Sequence, residues 1–207
     1  MIMYRKDKKE EYYTLRARRE GYPARSVYKL KDIDEKFRII RNGDKVWDLG
    51  SAPGSWLIYI SQKVGENGKV VGVDIQDLAS SVKNTIFIKK SIFDFQESDL
   101  LAVGCYEKFN SVLADLSPNT TGIKSMDAGR SLEMSEKAFQ IARNVLAKNG
   151  SFVCKIFQGE GMDGFLREVA LRFKVFKRVR PKAVVKRSKE FYIVAKGFKE
   201  NEIRTGN

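Results

Sequence analysis

Val46-Trp47-Asp48-Leu49-Gly50-Ser51-Ala52-Pro53-Gly54-Ser55-Trp56 runs apolar residues into an aspartate, crosses a stretch of small residues and opens a second apolar run. That order predicts a strand, a tight turn and a helix. At such a junction an α/β sheet binds nucleotide-like ligands. Gly50 and Gly54 allow close backbone approach because neither carries a side chain. The spacing is not Gly-x-Gly-x-x-Gly, whose helix N-terminus takes a pyrophosphate. Pro53 also removes an amide donor that a phosphate cradle would use, which favours a ligand without phosphate.

Beyond the turn, residues 55–64 read as a helix, and residues 45–49, 69–74, 85–89 and 110–115 as strands. A long helix is expected over 127–147, ended by Asn149-Gly150. A strand over 151–157, a helix over 162–172 and strands over 173–179 and 191–196 follow. Upstream, Val27, Leu30, Ile33 and Phe37 recur at helical spacing and predict an amphipathic helix over 25–39. A mostly polar helix is expected over 7–20. Strands alternating with helices predict an α/β fold with a mainly parallel sheet covered on both faces. With 207 residues, a single domain over 1–207 is expected. Residues 1–24 form its basic N-terminal extension, read as free to move.

The net charge of +13 points to a polyanionic partner. Between Arg167 and Glu190, ten lysines and arginines face two glutamates, a local charge of +8 in 24 residues that includes Arg178, Arg180, Lys182, Lys186 and Arg187. Near the other end Arg16, Arg18, Arg19 and Arg25 lie beside Tyr12, Tyr13 and Tyr22, a mixture of phosphate-binding cations and stacking rings. Two such patches could line one groove. The two cysteines, Cys105 and Cys154, lie far apart in a chain without histidine, so neither a disulfide framework nor a metal site is expected. Proton transfer is left to Lys, Asp, Glu or Tyr. No apolar run approaches the roughly 20 residues of a membrane span, and the charged start lacks a signal-peptide core. A cytoplasmic location without membrane contact is expected.

Polar residues at strand ends are the candidates for a site. Asp48 ends the first strand. Asp74, 24 residues beyond Gly50, could accept both hydroxyls of a ribose, or be a solvated turn residue. Asp94 could accept from an adenine amino group, and an exposed turn aspartate fits equally well. Lys155 interrupts an apolar strand, where a lysine needs a partner or a function. Asp115 on a neighbouring strand could be that partner, in a structural ion pair or in a site.

DLGSAPGSW (48–56), VLADLSPN (112–119), GSFVCKIFQG (150–159), ARSVYKL (24–30) and RSKEFYIVAKGF (187–198) together resemble, in order and over nearly the whole chain, the FtsJ/RrmJ family of S-adenosylmethionine-dependent RNA ribose 2′-O-methyltransferases. The resemblance implies a Rossmann-like methyltransferase fold, a mostly parallel seven-stranded sheet with an antiparallel last strand. It implies a catalytic tetrad of Lys29, Asp115, Lys155 and Glu190. Cofactor positions carry over as Asp48, Gly50, Pro53, Gly54, Trp56, Asp74, Asp94 and Asp115, although for Trp56 plain core packing is the better reading, since an aromatic at a helix start often staples the loop. Length and compactness resemble the bacterial and archaeal branch, which modifies a uridine in the A-loop of large-subunit ribosomal RNA, so the expected partner is that RNA within the large subunit, met by a monomer. The family also contains anticodon-loop transfer RNA enzymes, whose N-termini KDKKEEYY (6–13) and EGYPARS (20–26) resemble. A non-enzymatic ribosome assembly factor on the same fold is the other alternative; it predicts a broken cofactor loop or tetrad, and both are intact in this sequence. Cytosine C5 methylation lacks its cysteine near DLSP.

Overall fold

The computed structural model describes residues 8–185 and 188–200. Two N-terminal helices, α1 (Lys8–Arg19) and α2 (Val27–Phe37), lead into β1 (Lys45–Leu49), α3 (Ser55–Val64), β2 (Lys69–Asp74) and β3 (Thr85–Lys89). A short α4 (Glu97–Ala102) precedes β4 (Phe109–Ala114), the long α5 (Lys124–Val145) and β5 (Leu146–Phe157). The C-terminal part contains α6 (Met162–Arg172), β6 (Phe173–Val179) and β7 (Glu190–Phe198). Among the described residues, seven strands form one sheet in the order β3-β2-β1-β4-β5-β7-β6. The first five in that order run parallel, and β7 is antiparallel to both of its neighbours. This is the expected Rossmann-like arrangement.

β1, β2 and β4 are almost continuously buried, as strands covered on both faces must be. On one face Val46, Val70, Leu113, Val153, Tyr192 and Val194 pack under α1, α2 and α3 through Ala17, Leu30, Ile33, Leu57 and Ile60. On the other, Trp47, Val71, Val112, Phe152 and Ile193 meet Phe139 and Ala142 of α5 and Phe165 and Val169 of α6. The order reverses direction between β1 and β4, and a crevice opens beyond their carboxyl ends.

The elements differ from expectation mainly at their ends. α2 covers 27–37 rather than 25–39, because Arg38 turns into the left-handed region and its N–H closes the helix on Asp34 O. α5 spans 124–145 instead of 127–147. At its start the Asp127 carboxylate accepts from Thr121 N and Oγ1 and from Gly122 N, pinning the loop before the helix onto its first turn. At its end Leu146, 2% exposed, pairs with Phe109 and begins β5. Burial of that side chain in the sheet outweighs the Asn149-Gly150 stop signal, and Asn149, at φ 65°, instead lies in the irregular stretch where the β4–β5 register shifts. α4 was not expected; a six-residue helix shows no periodicity, yet Gln96 and Asp99 cap it reciprocally.

The N-terminal stretch read as free to move forms a helix against α2 over its described part. Tyr13 lies 5.2 Å from the Tyr28 ring, Ala17 is buried, and ion pairs join Arg25 to Glu10 and Lys31 to Glu20.

Candidate active site

Register brings the charges together. β5 and β7 pair antiparallel with Lys155 opposite Tyr192 and Phe157 opposite Glu190. Glu190 and Tyr192, two residues apart, therefore share the face of Lys155. That face lies under α2, whose Lys29 reaches down to it. Lys29 Nζ is 2.5 Å from Glu190 Oε1, and Lys155 Nζ is 3.1 Å from both Asp115 Oδ1 and Asp115 O. Lys155 is only 5% exposed. The result is a largely buried cluster of two cations and two carboxylates at the carboxyl ends of β4 and β5.

Tyr192 was missed in the sequence, where an aromatic in an apolar strand looks like core. Its hydroxyl donates to Asp115 Oδ1 at 2.6 Å and its ring lies 5.9 Å from Lys29 Nζ. Burial, then the negative charge of Asp115, pushes the phenol well above its ordinary range, so it remains a donor. For Asp115 burial alone would raise the pKa, but Lys155, Lys29 and the Tyr192 hydroxyl outweigh it and hold the carboxyl below its ordinary value. Tyr192→Phe keeps the ring and removes this charge-assisted bond. A roughly tenfold slower reaction at this cluster is expected in single-turnover measurements, with a melting temperature lower by roughly 3–10 °C. An unchanged rate would show that Asp115 needs no help from the phenol.

Beside the cluster a cavity of about 340 Å³ is lined by Gly50 and Ala52 of the turn, by Asp74, by the apolar Val73, Ile92, Leu116 and Met134, and by Asp115. Gly50, at φ 81°, leaves no room for a Cβ, which would fall 2.9 Å from Leu116 Cδ2. Asp74 is anchored, with Oδ2 accepting from Ala52 N and Oδ1 from Gln76 N, both at 2.9 Å.

Asp48, Pro53, Gly54, Trp56 and Asp94 do not line the cavity. Asp94 is exposed next to the lining residue Phe93. The Trp56 side chain is buried as core packing requires: its Nε1 donates to Ser26 O at 3.0 Å and its ring packs near Tyr192. That bond fastens α3 to the start of α2.

Asp48 is fully buried under the turn, and neither carboxylate oxygen has a hydrogen-bond partner among the described residues. Burial, with Asp115 and Asp74 adding repulsion, raises its pKa well above the ordinary value. A carboxyl raised on folding is protonated in both states at low pH, and costs stability as pH climbs above its unfolded value, where the unfolded chain alone releases the proton. Asp48→Asn, melted without cofactor, is therefore expected to gain on the parent protein as pH rises from about 4.5 to about 7.5. Melting curves that stay parallel across that range would show that Asp48 is not held neutral.

The basic segments meet as well. Lys9 Nζ donates to Val184 O and Asp32 Oδ2 accepts from Lys182 N, joining α1 and α2 to the loop before β7. Arg180 grips Val185 O and Ser188 O, Arg178 stacks 4.6 Å over Phe191, and Arg16 lies 4.7 Å over Tyr28. Arg18, Arg19 and Lys182 are exposed and Arg25 is tied to Glu10. Lys186 and Arg187 lie outside the described residues.

Residues 22–198 match the FtsJ-like methyltransferase family. Among curated relatives, the chain is 45% identical over 185 residues to the ribosomal RNA large subunit methyltransferase E of Desulfatibacillum aliphaticivorans, covering 89% of this chain and 88% of that one. It is 41% identical over 196 residues to the protein of the same name from Desulforapulum autotrophicum, covering 94% and 96%. Among solved structures, a Plasmodium falciparum protein provisionally named a ribosomal RNA methyltransferase superposes with a TM-score of 0.76 at 22% identity, over 86% of this chain and 98% of that one. That likeness supports the fold.

Proposed function

The chain belongs to the FtsJ-like methyltransferase family, and we propose that it transfers a methyl group from S-adenosylmethionine to a ribose 2′-hydroxyl of large-subunit ribosomal RNA, at a uridine of the A-loop. The observation that carries this reading is the buried Lys29–Glu190 and Lys155–Asp115 cluster beside the cavity. The names of the relatives favour the ribosomal substrate, and the joined basic segments favour RNA of some kind.

The cavity suits the cofactor. Val73, Ile92, Leu116 and Met134 offer apolar walls to a purine, and Asp74, each oxygen fixed by one backbone N–H, retains lone pairs for two ribose hydroxyls. Asp115 presents negative charge to a sulfonium. When bound, S-adenosylmethionine supplies a methyl group already activated by the positive sulfur.

The residues of this chain then have to place and activate a hydroxyl. The Lys155 ammonium donates to Asp115 O and forms an ion pair with Asp115 Oδ1, and no further acceptor for it is found among the described residues, so a donor is left over. That donor takes the substrate oxygen and stabilises its negative charge as the oxygen takes the methyl and its proton passes to solvent, or Lys155, transiently neutral, takes that proton itself. Asp115, braced by Tyr192, keeps the ammonium aimed. Lys29, held by Glu190, sets the second positive charge against the RNA. Closely packed α2, β5 and β7 hold these groups rigidly, so alignment supplies much of the rate.

The test is transfer of labelled methyl to unmodified large ribosomal subunits and, in parallel, to unmodified transfer RNA, with the product mapped as an alkali-resistant linkage. Alkali-resistant label at the A-loop uridine supports the reading. Label confined to transfer RNA would move the chain to the anticodon-loop enzymes, and absence of label with cofactor binding intact would favour an assembly factor.

A further inference from the structure

At the pole of the sheet opposite the tetrad, where β1 and β4 begin and β7 ends, two concavities of about 570 and 230 Å³ share Lys148 and Asn149. Their walls carry the six cations Arg38, Arg41, Lys148, Lys174, Lys196 and Lys199, with Arg172 beside them, against the carboxylates of Asp44 and Glu200. Elsewhere on the surface cations are commonly paired with acids, as Arg16 and Lys31 are with Glu20, Lys89 with Asp77, and Lys90 with Asp99. Here they are not. Lys174 Nζ donates to Asn149 Oδ1, Lys196 Nζ to Phe37 O and Lys199 Nζ to Leu171 O. All three acceptors are neutral, so the ammonium groups are oriented without being neutralised. Among the described residues, none of the six cations forms an ion pair. Like charges gathered around concave surface focus positive potential outward, which costs stability unless an anion arrives.

We propose that this pole is a second RNA-binding surface, gripping the phosphate backbone of the same RNA molecule whose ribose enters the active site. The proposal rests on the RNA substrate inferred above and deepens it. Glu190 and Phe198, eight residues apart on β7, mark the two poles, about 27 Å from each other at 3.4 Å per residue. A short stem-loop seated at the tetrad need not reach the far surface, whereas a large folded RNA can wrap to it. The surface thus favours extended structured RNA over small substrates through phosphate contacts that carry no sequence information.

The test compares the parent protein with the triple variant Arg41→Gln/Lys148→Gln/Lys199→Gln, three exposed positions remote from the tetrad. Two RNAs are used, unmodified full-length large-subunit ribosomal RNA and a short stem-loop carrying the target ribose, each titrated over a range of salt. For the long RNA the affinity is expected to fall about tenfold or more near physiological salt, and the slope of log affinity against log salt to shrink by about two to three. Stem-loop affinity and cofactor affinity should be unchanged. Unaltered affinity and slope for the long RNA would overturn the proposal, as would an equal loss on both RNAs. A parent protein that shows the binding contrast but methylates neither RNA would instead strike the reaction proposed above and leave this surface standing.

Discussion

Replacing Lys155 by alanine is expected to lower methyl transfer by about 10³–10⁴-fold while leaving cofactor affinity within a few-fold of the parent. Lys155 is 5% exposed, and its ammonium is aimed by a hydrogen bond to Asp115 O and an ion pair with Asp115 Oδ1 that leave a donor for substrate oxygen. No neighbour replaces it, because Lys29 is engaged 2.5 Å from Glu190. The substitution also strands Asp115 as a largely buried carboxylate, and breaking such a pair costs about 3–5 kcal/mol. The double variant Lys155→Ala/Asp115→Asn removes that stranded charge, so it should recover stability without recovering transfer. Asp74→Ala serves as the contrast, expected to weaken cofactor binding first, by about tenfold or more, through loss of two anchored acceptors. Equal loss of cofactor affinity in the Lys155 and Asp74 variants would sink this division of roles.

The second large effect concerns stability. Asp34 of α2 is 3% exposed, and Oδ1 accepts from both Ile39 N and Ile40 N at 2.9 Å while Oδ2 accepts from Tyr59 Oη at 2.8 Å. One carboxylate thus ties the end of α2 to the segment entering β1 and to α3, the two elements that carry Lys29 and flank the turn. Asp34→Ala leaves three buried donors without an acceptor, and a loss of about 3–5 kcal/mol is expected. For a chain of this size that corresponds to roughly 6–20 °C in melting temperature. Asp34→Asn keeps an acceptor for the two backbone N–H groups and should lose about half as much. An Asp34→Ala protein melting within a degree or two of the parent would mean that water replaces the carboxylate at no cost. Since α2 carries Lys29, transfer should decline in step with the folded population.

The local order of this protein was written in short-range signals. The turn at 50–54 and the strands and helix around it were predicted to the residue because glycines and a proline punctuate two apolar runs of different period. Lys155 announced itself as a charge in an apolar strand, and its partnership with Asp115 followed from neighbouring strand ends. Where α5 yields to β5 was illegible, because the gain from burying Leu146 arises only once β4 is alongside. The same holds for Tyr192, one aromatic among several in β7 until the β5–β7 register sets its hydroxyl against Asp115. Trp56, beside the ligand turn in sequence, points instead into the core, since its indole N–H finds its acceptor at Ser26 of a distant segment. Residue types and their spacing determined which strands and helices form and which charges needed partners. Strand register and helix docking decided which side chains meet, because contacts between residues 77 or 159 positions apart, as in Tyr192–Asp115 and Lys196–Phe37, depend on long-range packing that no local pattern encodes.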